Sequence, residues 1–449
     1  MARTSDSYTD KERRGQFFTT SADIQRLMTN LITHDTDASC LEPSAGEGDL
    51  VKALEDKGYH DIDAIELDDK IAPVCMTRIR YDSFFDAVAN ASATYDVILG
   101  NPPYVAWKNL EQSQRQNANV LAVKRKGKYP DKVNFYTLFI DRLIDTLADH
   151  GEMVLIVPKE WLYATSALPL RTKMMSTGAI THIVNVDEER VFGDAMPPAI
   201  MVFRFVKGMR QGTIRVANSA AEGLSGKWTN KSMLTFGSRI GICDNDVMQR
   251  LSDGWTPLGT LYTPRVGIVS GADGIYRCDD NQQGTGITRY VTTRGIETFV
   301  DPTGHSFDDL CPYAMKRLLA HKDALTHRKI AKFDESNWYQ YGAVRNRQHM
   351  LSDTERFYVK SRTRDARPFF DAEPYMRQGV CLYSGGILGM FRNDDAPSDM
   401  DKADIIAYLN SDIAARTYEA MGITTGTKRT FTPSLISEVP IPNDVIEGK

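Results

Sequence analysis

Tyr95-Asp-Val-Ile-Leu-Gly-Asn-Pro-Pro-Tyr104 is an apolar strand that runs without a linker into two prolines. Pro102 and Pro103 have no backbone N–H and a fixed φ, so the segment after the strand is stiff and rich in acceptors. The Asn101 side-chain oxygen and the Pro102 carbonyl can together accept both hydrogens of one planar amine. That arrangement draws the nitrogen lone pair out of conjugation and aims it at an electrophile. Tyr104 supplies a ring for stacking on a planar substrate. A plain proline turn is the bland alternative. Its position directly after an apolar strand, in the fourth strand–helix unit, speaks against it.

Working outward, strand and helix signals alternate. Ile24, Leu27, Met28, Leu31 and Ile32 give residues 20–33 a helical stripe. A short strand ends at 40–43, a helix is predicted near 49–57, a strand at 62–67 and a helix near 69–76. Residues 132–148 carry Phe135, Leu138, Phe139, Leu143 and Leu147 at helical spacing, and 152–158 is a continuous apolar strand of the kind buried on both faces. A helix at 160–175 and strands at 179–186 and 198–205 complete the set. Repeated units of this kind predict an α/β fold, a Rossmann-like doubly wound and mostly parallel sheet with helices on both sides. After about residue 207 the alternation is lost, and Gly267, Gly271, Gly274, Gly284 and Gly286 suggest turns and hairpins. A late helix is predicted at 401–420. The division expected is 1–230, a catalytic domain, and 231–449, a mixed α+β domain.

Two further places carry chemistry. Glu42-Pro-Ser-Ala-Gly-Glu-Gly48 sits between a strand and a helix, where Gly46 and Gly48 let the backbone approach a ligand. Glu66 ends the next strand, where an acid in nucleoside-binding α/β folds accepts from both ribose hydroxyls. Asp82, after the third strand, is placed to accept from an adenine amino group. Each has an ordinary reading, a turn or a solvated acid, and the pairing of Glu66 with the glycine turn favours the nucleoside.

Composition bounds the rest. Of 449 residues 42% are hydrophobic and the net charge is −5, which excludes a generally basic nucleic-acid binder but not a local basic face. The six cysteines form no CxxC pair, so neither a disulfide framework nor a metal site is expected. The N-terminus has no apolar stretch and no run approaches a membrane span, so the expected compartment is the cytoplasm. Residues 105–137 hold seven Lys or Arg against two acids, among them Lys124, Arg125, Lys126 and Lys128. Residues 321–367 hold eleven against six, and there Trp338, Tyr339, Tyr341, Arg345 and Arg347 mix rings with forked donors. Both stretches are candidate phosphate-contacting faces, or solvated surface.

With these residues in view, the chain resembles the γ-class amino-methyltransferases, and among them the TaqI-like N6-adenine DNA methyltransferases. The likeness begins at Gly15-Gln-Phe-Phe-Thr-Thr20, similar to the family's cofactor motif ahead of the sheet, although the family usually has proline where Thr20 stands. It implies S-adenosyl-L-methionine as cofactor, with Thr19 at its methionine end, Glu42, Ala45 and Gly46 in the first nucleotide-binding motif, Glu66 at the ribose, Asp82 at the adenine, and Asn101 beside it. Asn101, Pro102 and Tyr104 match the catalytic motif. Residues 132–139, the strand at 152–158 with the segment following it to 162, and 191–200 also look like this family, and Phe192 takes the role of the aromatic that stacks on a flipped base with Tyr104. Looser motifs at 265–276, 407–412 and 431–442 are similar to its target recognition domain.

The resemblance implies a class I methyltransferase acting on double-stranded DNA, with no metal and no membrane. It is either an orphan or the modification enzyme beside a separate cognate restriction endonuclease. Methylation of another planar amine (a protein glutamine or an rRNA guanine) and a non-catalytic DNA-binding protein are the competing readings.

Overall fold

Val97 and Leu99 of one strand pack on one face of a sheet while Ile98 packs on the other, and the next strand repeats the split with Val154 and Ile156 against Met153, Leu155 and Val157. Uninterrupted apolar runs are required here because side chains alternate and both faces are covered. The computed structural model describes residues 19–89, 94–186, 199–425 and 427–448. The chain divides into two units, 1–245 and 246–449.

The first unit is built on β1 (Cys40–Glu42), β2 (Ile62–Glu66), β3 (Ile79–Tyr81), β4 (Tyr95–Gly100), β5 (Leu147–Pro158), β6 (Gly178–Asn185), β7 (Ile200–Lys207), β8 (Ile214–Ala217), β9 (Thr229–Phe236) and β10 (Arg239–Cys243). They form one sheet in the order β10-β9-β8-β6-β7-β5-β4-β1-β2-β3. From β3 to β5 all pairs are parallel. β7 then enters antiparallel between β5 and β6. The sheet is thus parallel from β3 to β5 and mixed beyond it.

One face is covered by α1 (Ala22–Asn30) and α2 (Asp49–Asp56), through Ile24, Leu27, Leu50, Val51 and Leu54. The chain then forms α3 (Phe84–Ala87), α4 (Gln112–Gln116), α5 (Ala118–Lys126), α6 (Phe135–Thr146) and α7 (Leu168–Thr177). α6 and α7 cover the other face with Leu138, Phe139, Leu143, Leu170 and Met174. Ser21 and Asn134 cap α1 and α6, accepting from the backbone of Ile24 and Tyr136.

Several sequence expectations shift. The sheet is more mixed than the alternation implied. The β9–β10 hairpin turns in two residues, Gly237 and Ser238, and so short a link permits only antiparallel pairing. This hairpin extends the sheet past residue 230, so the division falls after Asn245. No helix forms at 69–76, where Pro73 removes a donor from the middle of the run. The helix expected at 160–175 is two short 3-10 turns followed by α7, with Pro169 in its first turn.

The second unit is a set of small antiparallel sheets with helices. One has Tyr262–Val266, Ile387–Arg392, Arg356–Lys360 and Phe369–Asp371 in spatial order. Another has Arg277–Cys278, Gly295–Val300 and Ile287–Thr292, and a third has Arg362–Thr363, Lys428–Thr430 and Thr424–Thr425. The predicted helix 401–420 is two helices, Lys402–Leu409 and Asp412–Ala420, because Ser411 caps the second through the Ala414 N–H. Trp338, Tyr339 and Tyr341 are buried in this unit's core, which removes the three rings from the candidate contacting face. Among the described residues no helix is long and apolar enough to cross a membrane.

Candidate active site

Because β1 to β4 are parallel, their C-terminal ends open on one edge of the sheet, and four predicted residues arrive there together. Gly46 follows β1, Glu66 ends β2, Asp82 follows β3 and Asn101 follows β4. All four line one cavity of about 530 Å³. Its remaining wall comes from Phe84 and Phe85, from Pro103 and Val105, and from the 110–120 segment.

The edge is drawn tight at two glycines. A Cβ on Gly100 would stand 3.1 Å from Glu42 Oε1 and 3.1 Å from the Pro43 ring, so the ends of β1 and β4 approach only with glycine there. Gly48 has φ +85° at the start of α2, and a Cβ there would stand 2.6 Å from Cys75 Sγ.

Glu66 Oε2 accepts from the Gly46 N–H at 2.7 Å, and Oε1 accepts from Leu67 and Asp68 N–H groups at 2.9 Å each. The carboxylate therefore orders the turn after β1 as well as facing the cavity. Asp82 accepts from Arg80 at 2.6 Å and from the Ser83 N–H at 2.8 Å. Glu42 is buried and accepts from the Ser44 N–H at 3.0 Å. Burial pushes its carboxyl up to about 8; the charge of Glu66 adds to this and the Ser44 hydrogen bonds oppose it.

Asn101 is held from two sides. Its Nδ2 donates to Thr19 Oγ1 at 3.1 Å, and its carbonyl accepts from Ser44 Oγ at 3.0 Å. Pro102 is buried behind it. Tyr104 is half-buried, its hydroxyl donates to the Ile156 carbonyl at 2.7 Å, and its ring meets Tyr136 edge-on at 6.0 Å. Burial holds its phenol well above the usual range, so it is neutral.

Glu42, Ala45, Thr19, Pro102 and Tyr104 stand around the cavity residues without lining the cavity. Phe192, with 191–198, and residues 15–18 lie outside the described residues. Sequence reasoning passed over Ser44, although it lies inside the quoted 42–48 turn. It also passed over Phe84 and the 110–120 wall, which carry no motif because their role depends on what they face.

The candidate DNA-contacting residues are unequal. Lys124 pairs with Asp131 at 2.8 Å over the Trp107 ring, and Lys126 sits 3.7 Å from Asp145. Arg347 pairs with the buried Asp301 at 2.8 Å, which gives it a structural partner. Arg125, Lys128 and Arg345 are exposed.

The sheet has the fold of the class I methyltransferases. Residues 46–192 match the Eco57I restriction-modification methylase family model. It is similar to the type II methyltransferase M.HincII of Haemophilus influenzae, 30% identical over 206 residues, 45% of this chain and 39% of the relative. It is also similar to M.BsuBI of Bacillus subtilis, 23% identical over 48% of each. The chain thus spans about two-fifths of the length of the Haemophilus relatives. Among solved structures, the Type IIL restriction-modification enzyme MmeI in complex with DNA superposes with a TM-score of 0.57 at 12% identity, covering 89% of this chain and 62% of that one.

Proposed function

We propose that the chain transfers a methyl group from S-adenosylmethionine to N6 of an adenine flipped out of duplex DNA at a specific site. The observation that carries this is the meeting of Asn101 with the Gly46–Glu66–Asp82 edge at one cavity. The donor set suits that cofactor. Six carboxylates line the cavity against one lysine, Lys70, a balance that repels a nucleotide phosphate and attracts a nucleoside carrying positive charge. Glu66 and Asp82 offer acceptors to hydroxyl and amino groups, and Phe84, Pro103 and Val105 offer an apolar slot.

When bound, S-adenosylmethionine supplies an electrophilic methyl group on a sulfonium, so no metal is called for. Glu66 binds the ribose, and Thr19, Glu42 and Ala45 shape the methionine side. A stacked adenine cannot present its amine, so the base leaves the duplex at a cost of a few kcal/mol, offset by stacking in the site. Tyr104 stacks on it, anchored through its hydroxyl to β5; Phe192 is the proposed second ring. Asn101 Oδ1 and the Pro102 carbonyl accept the amine hydrogens and hold the nitrogen lone pair toward the methyl group. Thr19 and Ser44 keep Asn101 in place. Positioning and hydrogen-bond acceptance do this work without a strong side-chain base. The likeness to type II methyltransferases, and to MmeI in complex with DNA, supports DNA as the substrate; a separate endonuclease is the partner this reading would pair with it.

The test is transfer of tritiated methyl to duplex DNA, structured RNA and a glutamine-containing protein, with nucleoside analysis of the product. Label recovered as N6-methyladenine from DNA is the expected result. Label in protein or guanine overturns the substrate assignment. Cofactor binding without transfer to any of them overturns the catalytic one.

A further inference from the structure

The basic run at 321–367 separates in the structure into charges already committed and charges that are not. Lys322 pairs with Glu335 and Arg347 with Asp301. Arg328 donates to the carbonyls of Leu325, Ser270, Trp338 and Gln340, and Arg356 to those of His349, Met350 and Ser352. These four cations hold the second unit together. Arg362, Arg364 and Arg367 are exposed, and no acidic partner takes them among the described residues. Lys329, Lys332 and Arg345 are exposed too, but their segments are not joined by strand pairing to a second basic one.

The 362–367 segment is. Its strand pairs antiparallel with Lys428–Thr430, in the register Arg362 with Thr430 and Thr363 with Arg429. Sixty-odd residues of sequence separate these segments; the ladder sets them side by side and adds exposed Lys428 to the same small sheet.

The turn that presents these cations is built rather than loose. Thr363 Oγ1 accepts from the Asp365 N–H at 2.9 Å. Asp365, the one acid in the segment, is taken by Lys360 at 2.5 Å. Arg429 donates to the carbonyls of Asp365 and Ala366 at 3.1 and 2.7 Å, and its guanidinium lies 5.8 Å from the Tyr418 ring. The groups that would repel an anion, one carboxylate and two carbonyls, are thus occupied from within. Four cations are left facing solvent in a chain whose net charge is −5. Like charges gathered this closely repel one another, and an extended polyanion relieves that repulsion by exchanging its condensed counterions for them. They are spread over the strand ends and the turn that follows Arg362–Thr363, a row of exposed residues that suits a line of phosphates and not one small anion.

We propose that this three-stranded sheet, through Arg362, Arg364, Arg367 and Lys428, grips duplex DNA by its phosphates. The assignment rests on the reading of the chain as a DNA methyltransferase. It replaces Arg347 and the aromatic cluster at 338–341 as the polar surface of the second unit that meets DNA.

The experiment compares the full chain with the variant Arg362→Ala/Arg364→Ala/Arg367→Ala/Lys428→Ala, binding a labelled duplex of about thirty base pairs across a salt titration. Each lost phosphate contact flattens the slope of log K against log salt by about 0.9, so the variant is expected to be shallower by about three to four. Its affinity near 0.1 M salt should fall at least about tenfold, with cofactor binding by calorimetry and the thermal midpoint unchanged. Single substitutions should each flatten the slope by about one. If the parent chain methylates DNA and the fourfold variant keeps both its salt slope and its KM for DNA, this surface is wrong and the function stands. If the parent chain neither binds nor methylates a duplex, the function and the surface fall together. A parent chain that prefers double-stranded RNA over DNA also overturns the assignment.

Discussion

At the scale of single residues, two side chains give the sharpest tests of the proposed site. Asn101 is oriented by Thr19 at its side-chain nitrogen and by Ser44 at its main-chain carbonyl, and the second bond survives when the side chain is shortened. Asn101→Ala is expected to lower kcat by at least about 100-fold, near 2.7 kcal/mol of barrier, while cofactor affinity stays within a few-fold. Single-turnover methyl transfer set beside calorimetric cofactor binding checks this; near-normal turnover would remove Asn101 from the mechanism. Glu42 is the second. Its carboxyl is raised from the usual 4.5 to about 8 by burial, so the folded chain holds a proton that the unfolded chain has released. The resulting stabilisation is complete below about pH 4.5 and is lost as pH rises through about 8. Glu42→Gln should therefore flatten the fall of the thermal midpoint between these values, read from melting curves at stepped pH. An unchanged slope would mean that Glu42 is ionised at neutral pH.

At the scale of elements, one carboxylate ties the 110–120 wall of the cavity to α3. Asp86, in α3, accepts from Asn117 Nδ2 and Asn119 Nδ2 at 2.6 Å each. Asn117 meanwhile caps α5 with its Oδ1, which accepts from the N–H groups of Asn119 and Val120. α4, just before this clasp, contributes no buried residue of its own. Leu110 and Val120 anchor the segment in the core on either side of α4, and Asp86 adds a polar hold at its far end. Asp86→Ala should speed cofactor dissociation by about tenfold, the equivalent of about 1.4 kcal/mol, with a smaller change in kcat. Stopped-flow displacement measures it. An unaltered dissociation rate would mean that the clasp is incidental to the cavity.

At the scale of the whole molecule, the end of the sheet remote from the cavity is tied by buried charge. Glu152, at the beginning of the apolar part of β5, accepts from Arg204 of β7 at 2.5 Å and from the Thr33 and His34 N–H groups at 2.6 and 2.8 Å. His182 of β6 stands beside this network. Its imidazole is lowered to about 4, first by burial and then by the charges of Arg204 and Arg215. The folded chain thus resists a proton that the unfolded chain accepts near pH 6.5. Stability is full above about 6.5 and is lost as pH falls toward about 4. His182→Gln should soften the acid limb of the pH–stability curve; an identical limb would place the acid sensitivity elsewhere.

What the sequence determined by itself is the local and the periodic. Asn101 to Tyr104 directly after an apolar strand, the glycine turn after β1 and an acid at the end of β2 were all legible, because parallel strands with buried faces bring their ends to one edge wherever the helices lie. Pro73 inside an otherwise helical run, the cap at Ser411 and the two-residue hairpin at Gly237 were local signals too, each outweighed by a broader pattern when the elements were predicted. Only the tertiary structure decided which charges are spent and which are free. Arg347 and Arg364 belong to the same basic run, yet one is paired with the buried Asp301 and the other faces solvent. Trp338 and Tyr341 went to the core, Lys428 came to lie beside Arg362, and Asp86 met Asn117, because such pairings are set by packing between distant segments, and packing leaves no period in the chain.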